Sequence, residues 1–441
     1  MAPASYDIAI VGGGVSGAAL AWLCGRYLPG ARVVLLEKYP RLATLNSHGR
    51  NNSQTLHCGD IETNYDLDKA RAVRRAADLV LRYCEALPKP EAVIHRYPKM
   101  VIGTTEAECA FLEARLEAFA PHFPYLRRFD RRAVARLEPE VAAGRRGPLL
   151  ALGAEDDYSA VDFQALALSL AGDARRAGVA LRLPARVLDI RPAGEGYRLT
   201  LADGGIEAAA VAICAGAHSL YLARRMGLGA RYACLPVAGS FYYAPRVLNG
   251  KVYTVQDPEL PFAAVHGDPD LLVPDKTRFG PTAVILPLLE RHRWSTLVDF
   301  LAVFSLDAPV RAVLRDLARS PARRRYMLKN LLFEIPGLRT PLFAADARKI
   351  VPRLRWRDLH FARGVGGIRP VMIDRRQRRL LLGEARIDTG AGLIFNMTPS
   401  PGATSCLANG LKDLAALAAR LGREIHRDRL GEELGVQAED A

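Results

Sequence analysis

The 441-residue sequence lacks any apolar stretch of the roughly 20 residues that a membrane-spanning helix requires. It also lacks internal repeats and low-complexity segments, and its first apolar run leads into a glycine loop, unlike a secretory signal peptide. The seven cysteines form no Cys-x-x-Cys pair and no Cys/His ligand spacing. We therefore expect reduced thiols, no metal site and a cytoplasmic protein.

Acidic residues are in deficit, because 61 lysines and arginines face 47 aspartates and glutamates, a formal net charge of +14. The excess is locally strong from Arg311 to Lys329 and follows an apolar segment, Trp294 to Phe304. These features allow a peripheral contact with an anionic membrane, on its inner face, or a partly buried helix beneath a solvated charged surface. No basic stripe interleaved with aromatic residues occurs, so no nucleic-acid partner is expected.

The N-terminal region has the order strand, glycine loop, helix. The apolar run Tyr6 to Val11 is followed by Gly12-Gly13-Gly14-Val15-Ser16-Gly17 and then by a helical pattern. In this arrangement Gly12 permits the turn, Gly14 lets the backbone approach a pyrophosphate, and Gly17 lets the helix pack closely on the strand. Val15 and Ser16 then place free N–H groups at the helix start, where phosphates bind.

A second apolar strand, Arg32 to Leu36, ends in Glu37 and Lys38. An acidic residue at this distance from the loop accepts hydrogen bonds from ribose hydroxyls. The two strands and the loop together predict a dinucleotide-binding Rossmann-like unit. The chain is also too long for one ordinary core, which favours two domains.

A polar segment follows Glu37, and its pattern is Ser47, Gly49, Asn51-Asn52, Thr55, His57, Glu62 and Asn64-Tyr65. It resembles malate:quinone oxidoreductases of the D-amino-acid-oxidase superfamily, apart from Gln54 and Leu56, where those proteins prefer glycine. Near the C-terminus, Ser400-Pro401-Gly402-Ala403-Thr404-Ser405 precedes a helical run and resembles a segment of the L-2-hydroxyglutarate dehydrogenases and oxidases.

The resemblance implies FAD as the cofactor and an α/β fold, α+β overall, with a second, mixed-sheet substrate domain. It predicts an FAD-binding domain from residues 1–85, 150–230 and 355–430, and a substrate domain from residues 86–149 and 231–354. Besides the glycine loop, Glu37 and Lys38, it implies these cofactor-binding residues: Ser47, Asn51, Asn52, Ser53, Val187, Ala215, Gly216, Gly367, Pro401, Gly402, Ala403 and Thr404.

The implied reaction is the oxidation of a small 2-hydroxy acid, malate-like or L-2-hydroxyglutarate-like, by hydride transfer to flavin N5, with quinone or oxygen as acceptor. Arg369, in a Gly-Gly-Ile-Arg-Pro segment, is the predicted carboxylate-binding residue, because a guanidinium grips a carboxylate bidentately. His266 is the leading base and a substrate contact, His57 is its rival, and Tyr242 is predicted to shape the substrate pocket. Two alternatives stay open: oxidation of a C–N bond in an amino acid, and a non-catalytic basic flavin-binding scaffold.

Overall fold

The computed structural model describes residues 4–260, 265–398 and 401–436. The strands within it are β1 (Ala4–Val11), β2 (Val33–Leu36), β3 (Ile94–Gly103), β4 (Arg127–Phe129), β5 (Leu150–Val161), β6 (Ala180–Arg182), β7 (Val187–Ala193), β8 (Gly196–Leu201), β9 (Gly204–Ile213), β10 (Tyr232–Ala238), β11 (Tyr242–Pro245), β12 (Lys251–Thr254), β13 (His266–Pro269), β14 (Lys276–Gly280), β15 (Val284–Ile285), β16 (His360–Phe361), β17 (Ile368–Asp374), β18 (Arg379–Leu381), β19 (Arg386–Asp388) and β20 (Leu393–Asn396).

The helices follow the same chain order and lie mostly between strands. They are α1 (Val15–Tyr27), α2 (Leu67–Glu85), α3 (Glu106–Phe119), α4 (Arg131–Leu137), α5 (Pro139–Ala142), α6 (Phe163–Arg176), α7 (His218–Arg225), α8 (Leu297–Val303), α9 (Ala308–Arg319), α10 (Pro321–Leu332), α11 (Arg339–Ile350), α12 (Cys406–Leu421) and α13 (Arg427–Leu434). In the described ranges, none of these helices combines the length and apolar character needed to cross a bilayer.

The first sheet has a parallel centre in the order β20-β9-β1-β2-β6. The second half of β1, from Ile8 to Val11, and all of β2 are apolar in succession and buried, as expected for strands covered on both faces. Helices α1, α6 and α12 pack on one face around a core that includes Leu20, Leu23 and Leu407. The sequence therefore forms the predicted dinucleotide-binding unit at the carboxyl ends of β1 and β2.

Two further sheets make up the rest of the molecule. One is antiparallel, in the order β15-β10-β17-β18, and the other is mixed, in the order β16-β11-β14-β13-β12-β3-β5-β4. In the mixed sheet β12 and β3 run parallel, whereas the other neighbouring strands run antiparallel. The architecture is thus a Rossmann-like sheet combined with a mixed-sheet region, in agreement with the predicted fold class.

Sheet membership departs from the predicted domain boundaries at two places. Strand β5, inside the predicted cofactor segment 150–230, pairs antiparallel with β3 along most of its length and so belongs to the mixed sheet. Strands β16 to β18, inside the predicted segment 355–430, also belong to the second and third sheets. The reason is topological, because the chain passes from one sheet to another between consecutive strands, as it does from β16 to β17.

Candidate active site

One large cavity, of about 750 Å³, runs between the three sheets. Residues from distant parts of the chain line it, and they include most of the predicted site. Predicted cofactor residues on its wall are Gly12, Gly14, Val15, Ser16, Glu37, Lys38, Ser47, Asn51, Asn52, Ser53, Val187, Ala215, Gly216, Gly367, Pro401, Gly402, Ala403 and Thr404, and the predicted catalytic residues on it are His57, His266 and Arg369. Ser400 lies outside the described residues.

The glycine loop has the tight packing that its sequence predicts. Gly12 has φ +111°, and a Cβ there would lie 2.5 Å from the carbonyl oxygen of Cys214. Gly17 does not line the cavity, because it faces the strand, where a Cβ would lie 1.9 Å from the carbonyl oxygen of Gly12. Only glycine at both positions allows α1 to start this close to β1.

Side chains around the loop fix its backbone amides. The Glu37 carboxylate is buried, and it accepts hydrogen bonds from the backbone N–H of Gly13, at 2.7 Å, and of Tyr39, at 2.8 Å. The hydroxyl of Ser47 accepts from the N–H of Val15 at 2.9 Å, within the first turn of α1. These contacts hold the N-terminus of α1 toward the cavity, where its dipole favours an anionic group such as a pyrophosphate.

The opposite wall is built from the start of α12. Pro401, Gly402, Ala403 and Thr404 line the cavity, and the buried Thr404 hydroxyl accepts a hydrogen bond from the backbone N–H of His57 at 3.2 Å. The cavity therefore has helix N-termini at two separated places. A flavin dinucleotide fits this arrangement, since its pyrophosphate and its reduced ring both carry negative charge that helix N-termini stabilise.

Arg369 is held at the cavity by the segment that contains it. The side chain of Asn46 donates to the carbonyl of Ile368, at 2.8 Å, and accepts from its N–H, at 3.2 Å. The side-chain oxygen of Asn51 accepts from the N–H of Gly366. A Cβ on Gly367 would lie 2.5 Å from the carbonyl oxygen of Asn51, so the glycine is what allows this close approach.

His266 is buried beneath the cavity wall, with its ring stacked on Tyr253 at a centroid distance of 4.5 Å. Neither ring nitrogen has a hydrogen-bond partner among the residues that the structure describes. Burial and the nearby cations Lys251 and Arg278 hold the pKa of His266 well below its usual value. This histidine is therefore neutral at physiological pH.

The cations beneath His266 belong to a buried polar network. Lys251 donates to the carboxylate of Asp268, at 3.0 Å, and to the hydroxyl of Thr55, at 3.1 Å. Arg278 lies within 3.5 Å of Asp268 and 3.3 Å of Asp270. The four charged residues of the network, Lys251, Asp268, Asp270 and Arg278, were not predicted as site residues.

Tyr242 is a correction to the prediction. Its ring is fully buried against Phe343, at 3.9 Å between ring centroids, and its hydroxyl donates to the carbonyl of Phe333, so it does not line the cavity. Successive side chains of a strand point to opposite faces, and here the neighbouring Phe241 lines the cavity. Tyr242 therefore supports the sheet from its far side.

A second network surrounds Glu290 and joins the predicted residue Lys38 to Tyr39 and His218, which the sequence did not single out. This buried carboxylate accepts hydrogen bonds from Lys38 and from the hydroxyl of Tyr39, and its Oε1 lies 3.7 Å from Nδ1 of His218. Burial and Lys38 lower the pKa of His218 to about 4, so its imidazole is neutral. Because Lys38, Tyr39 and His218 all line the cavity, the network fixes the wall next to Glu37 and Gly216.

The fold and the site define a flavin-dependent oxidoreductase with a dinucleotide-binding sheet and a separate substrate-side sheet. The chain belongs to the family described as FAD dependent oxidoreductase (DAO), whose model matches residues 7–416. FAD is accordingly its cofactor.

Comparisons with individual proteins agree with this assignment. The chain is 41% identical to a probable malate:quinone oxidoreductase of Campylobacter jejuni, over 98% of this chain and 100% of that protein. It is 26% identical to the mitochondrial L-2-hydroxyglutarate dehydrogenase of Nematostella vectensis, over 91% and 88% of the two chains. Glycine oxidase from Geobacillus kaustophilus has the same fold, with a TM-score of 0.65 and 20% identity over 95% of each chain.

Proposed function

We propose that this protein oxidises a small 2-hydroxy acid, malate-like or L-2-hydroxyglutarate-like, to the 2-oxo acid and passes the electrons to a quinone. The relatives named malate:quinone oxidoreductase match the chain over nearly its whole length and support this choice of substrate class and acceptor. The single observation that carries the proposal is the state of Arg369.

Arg369 faces the cavity without a protein counter-ion. Other buried arginines are compensated within the protein: Arg278 pairs with Asp268 and Arg291 with Glu334, at 3.3 Å. Arg115 instead donates to backbone carbonyls. Arg369 has no carboxylate partner among residues 4–260, 265–398 and 401–436. Burial lowers its pKa, yet a guanidinium stays charged at any physiological pH. Arg369 is half-buried, and an unpaired cation in such a position favours a counter-ion. A substrate carboxylate can bind it bidentately.

The proposed reaction assigns a task to each part of the cavity wall. Bound FAD supplies a two-electron acceptor for the hydride that leaves C2 of the acid. Arg369 binds the carboxylate and thereby orients C2, while an imidazole, of His266 or His57, accepts the hydroxyl proton. The glycine loop and Glu37 hold the cofactor, and the surrounding apolar wall excludes water.

The alternative reaction is oxidation of a C–N bond. Glycine oxidase has the same fold, but an identity of 20% carries no information about the bond that is oxidised. The relatives at about 40% identity favour the hydroxy acid and disfavour a non-catalytic scaffold.

Anaerobic mixing of the purified FAD-containing protein with a panel of 2-hydroxy and 2-amino acids tests the proposal. We expect the flavin absorbance to bleach with one or more 2-hydroxy acids and to stay unchanged with the matched 2-amino acids. Bleaching by amino acids alone would contradict the proposed reaction. Reoxidation of the bleached protein by a soluble quinone, compared with reoxidation by oxygen, then identifies the acceptor.

A membrane-bound quinone requires a surface that meets the bilayer. The end of α10 and the start of α11 present an apolar ridge, defined as the exposed residues Leu328, Leu331, Ile335, Leu338 and Leu342. Leu328 and Leu331 lie on α10, Leu342 lies on α11, and Ile335 and Leu338 lie in the turn that joins the two helices. The inner side of the same segment is anchored, because Phe333 and Phe343 are buried beneath it.

The surroundings of the apolar ridge are strongly basic. Ten basic and three acidic residues lie between Ala308 and Ile350, so this short region carries half of the net charge of the chain. In α8, expected from the sequence as part of the contact, Val298 and Leu301 are exposed while Phe300 is buried. We propose that the apolar ridge and its basic surroundings dock peripherally on the anionic, cytoplasmic face of a membrane.

A double variant tests the docking surface. Leu331→Glu with Leu338→Glu places two carboxylates on the apolar ridge, and we expect binding to anionic lipid vesicles to weaken at least about tenfold. Leu168→Glu is the matched control, since Leu168 is similarly exposed but lies on α6, within the cofactor domain. Vesicle co-sedimentation measures both. Equal binding by the double variant and the wild type would contradict the proposal.

A further inference from the structure

The loop of residues 57–65, which precedes α2, brings two ionisable side chains together at the cavity wall. Nδ1 of His57 and Oε1 of Glu62 are 2.8 Å apart, and both residues line the cavity. The side chain of His57 is 18% exposed and that of Glu62 only 6%. The other carboxylate oxygen of Glu62 has no hydrogen-bond partner within the described ranges. His57 is therefore the side chain with which this carboxylate forms its hydrogen bond.

The loop is fixed from behind by buried cations. Lys99 pairs with Asp60, at 2.6 Å, and with Asp157, at 2.8 Å. The guanidinium of Arg115 donates to four backbone carbonyls of the loop, those of Gly59, Asp60, Glu62 and Tyr65. Because its backbone is held at so many points, the loop presents His57 and Glu62 in one fixed geometry.

The two candidate bases of the cavity, His57 and His266, differ in what surrounds them. His266 has cations beside it and no carboxylate within hydrogen-bond distance, since its Nε2 lies 3.8 Å from Asp268. His57 has a carboxylate directly on Nδ1. A carboxylate at this position accepts a hydrogen bond from Nδ1–H, which leaves Nε2 unprotonated and able to accept a proton. The same carboxylate stabilises the imidazolium that forms when Nε2 takes up that proton.

We propose that Glu62 is a positioning residue that holds His57 in the tautomer whose Nε2 accepts the hydroxyl proton of the substrate. The inference rests on the proposed function and assigns its base. In the step, the O–H bond breaks and its proton passes to Nε2, and the C2 hydride passes to the flavin. The acid loses two electrons and becomes the 2-oxo acid, and His57 leaves the step as an imidazolium paired with Glu62.

Several other charged or titratable groups lie around the pair. Tyr65 and Tyr253 interact electrostatically with Glu62, and Arg115 binds the backbone of its loop. His57 and Arg369 both contribute to the electrostatic environment of His266. Each of these groups is retained when Glu62 alone is changed. A change in the pH profile of that variant therefore reports on the carboxylate of Glu62.

Glu62→Gln is the test variant. We expect kcat for the 2-hydroxy acid to fall about 10- to 100-fold, because the amide no longer fixes the tautomer or stabilises the imidazolium. The KM should change little, since Arg369 is untouched. The acid limb of the pH profile of kcat should move to lower pH, because loss of a negative neighbour disfavours the protonated imidazole.

Binding provides a readout that is independent of turnover. Malonate, a dicarboxylate without a hydroxyl group to oxidise, is titrated against the FAD-containing protein while the flavin spectrum is followed. We expect Glu62→Gln and the wild type to bind malonate equally at pH 8. Asp66→Asn is the matched control, since Asp66 also lines the cavity but caps α2, a task that asparagine performs as well.

The outcomes separate the two levels of the proposal. A wild type whose flavin is reduced by a 2-hydroxy acid, together with a Glu62→Gln variant that keeps full kcat and an unmoved acid limb, overturns the role of Glu62 alone. A wild type that no 2-hydroxy acid reduces overturns the proposed function and this role with it. If Glu62→Gln fails to retain FAD, His57→Gln decides: loss of the acid limb supports the proposal, and full kcat overturns it.

Discussion

Replacing Arg369 by methionine is expected to raise the KM for the acid about 100- to 1,000-fold while the protein keeps its FAD. Methionine has a similar reach but no charge, so the substrate carboxylate would enter a buried site without a counter-ion. Since Arg369 pairs with no carboxylate of the described chain, its loss leaves no orphaned protein charge, and the fold should tolerate it. Steady-state kinetics with a soluble quinone and the ratio of flavin to protein absorbance measure the two effects.

Two further variants sharpen this result. Arg369→Lys keeps the charge but loses the planar fork, so its KM should lie between those of the wild type and Arg369→Met. Arg186→Met removes another arginine of the cavity wall, an exposed one, and its KM should stay near that of the wild type. An unchanged KM in Arg369→Met would remove Arg369 from the substrate site.

Gly14→Ala is expected to give a folded protein that retains less than about a tenth of the wild-type FAD. Gly14 caps α1 with φ −77°, a conformation open to alanine, and the nearest atom to an added Cβ is the hydroxyl of Ser47, at 3.2 Å. The protein can therefore accommodate the methyl group. The cofactor cannot, because the missing Cβ is what allows a pyrophosphate to approach this backbone.

Gly383→Ala is the matched control for this loss, since an added Cβ there meets no atom within 4 Å. Circular dichroism checks the fold of both variants, and the flavin absorbance of the purified proteins measures FAD content. A yellow Gly14→Ala protein with full FAD would show that the glycine loop does not bind the pyrophosphate.

Features that depend on neighbouring residues were predictable from the sequence. The order of strand, glycines, helix, strand and Glu37 is a local pattern, and all these elements formed as expected. Gln54, which departs from the glycine preferred in similar proteins, has φ +50°. Its side chain bonds to Leu271 N and Gly49 O, which offsets the strain of a left-handed glutamine.

Features that depend on distant residues or on strand phase were not predictable. Whether Phe241 or Tyr242 faces the cavity depends on where β11 begins. Because side chains alternate between the two faces of a strand, a shift of one residue moves each of them to the opposite face. The pairing of Lys99 with Asp60, and of Lys251 with Asp268, arises only when separate strands and loops meet. Glu62 belongs to the polar pattern that follows Glu37, yet its contact with His57 could not be predicted, because it depends on the conformation of the loop between them.

The bonds from Asn46 and Asn51 to the Gly366–Ile368 backbone join the segment next to the glycine loop to the strand that carries Arg369. Thermodynamic linkage follows from this shared support, because anything that orders one side also orders the other. Flavin-free protein should thus bind malonate more weakly than holoprotein does, and isothermal titration calorimetry measures both affinities. By reciprocity, saturating malonate should tighten the equilibrium affinity for FAD by the same factor, so that substrate availability also governs how fully the apoprotein is loaded.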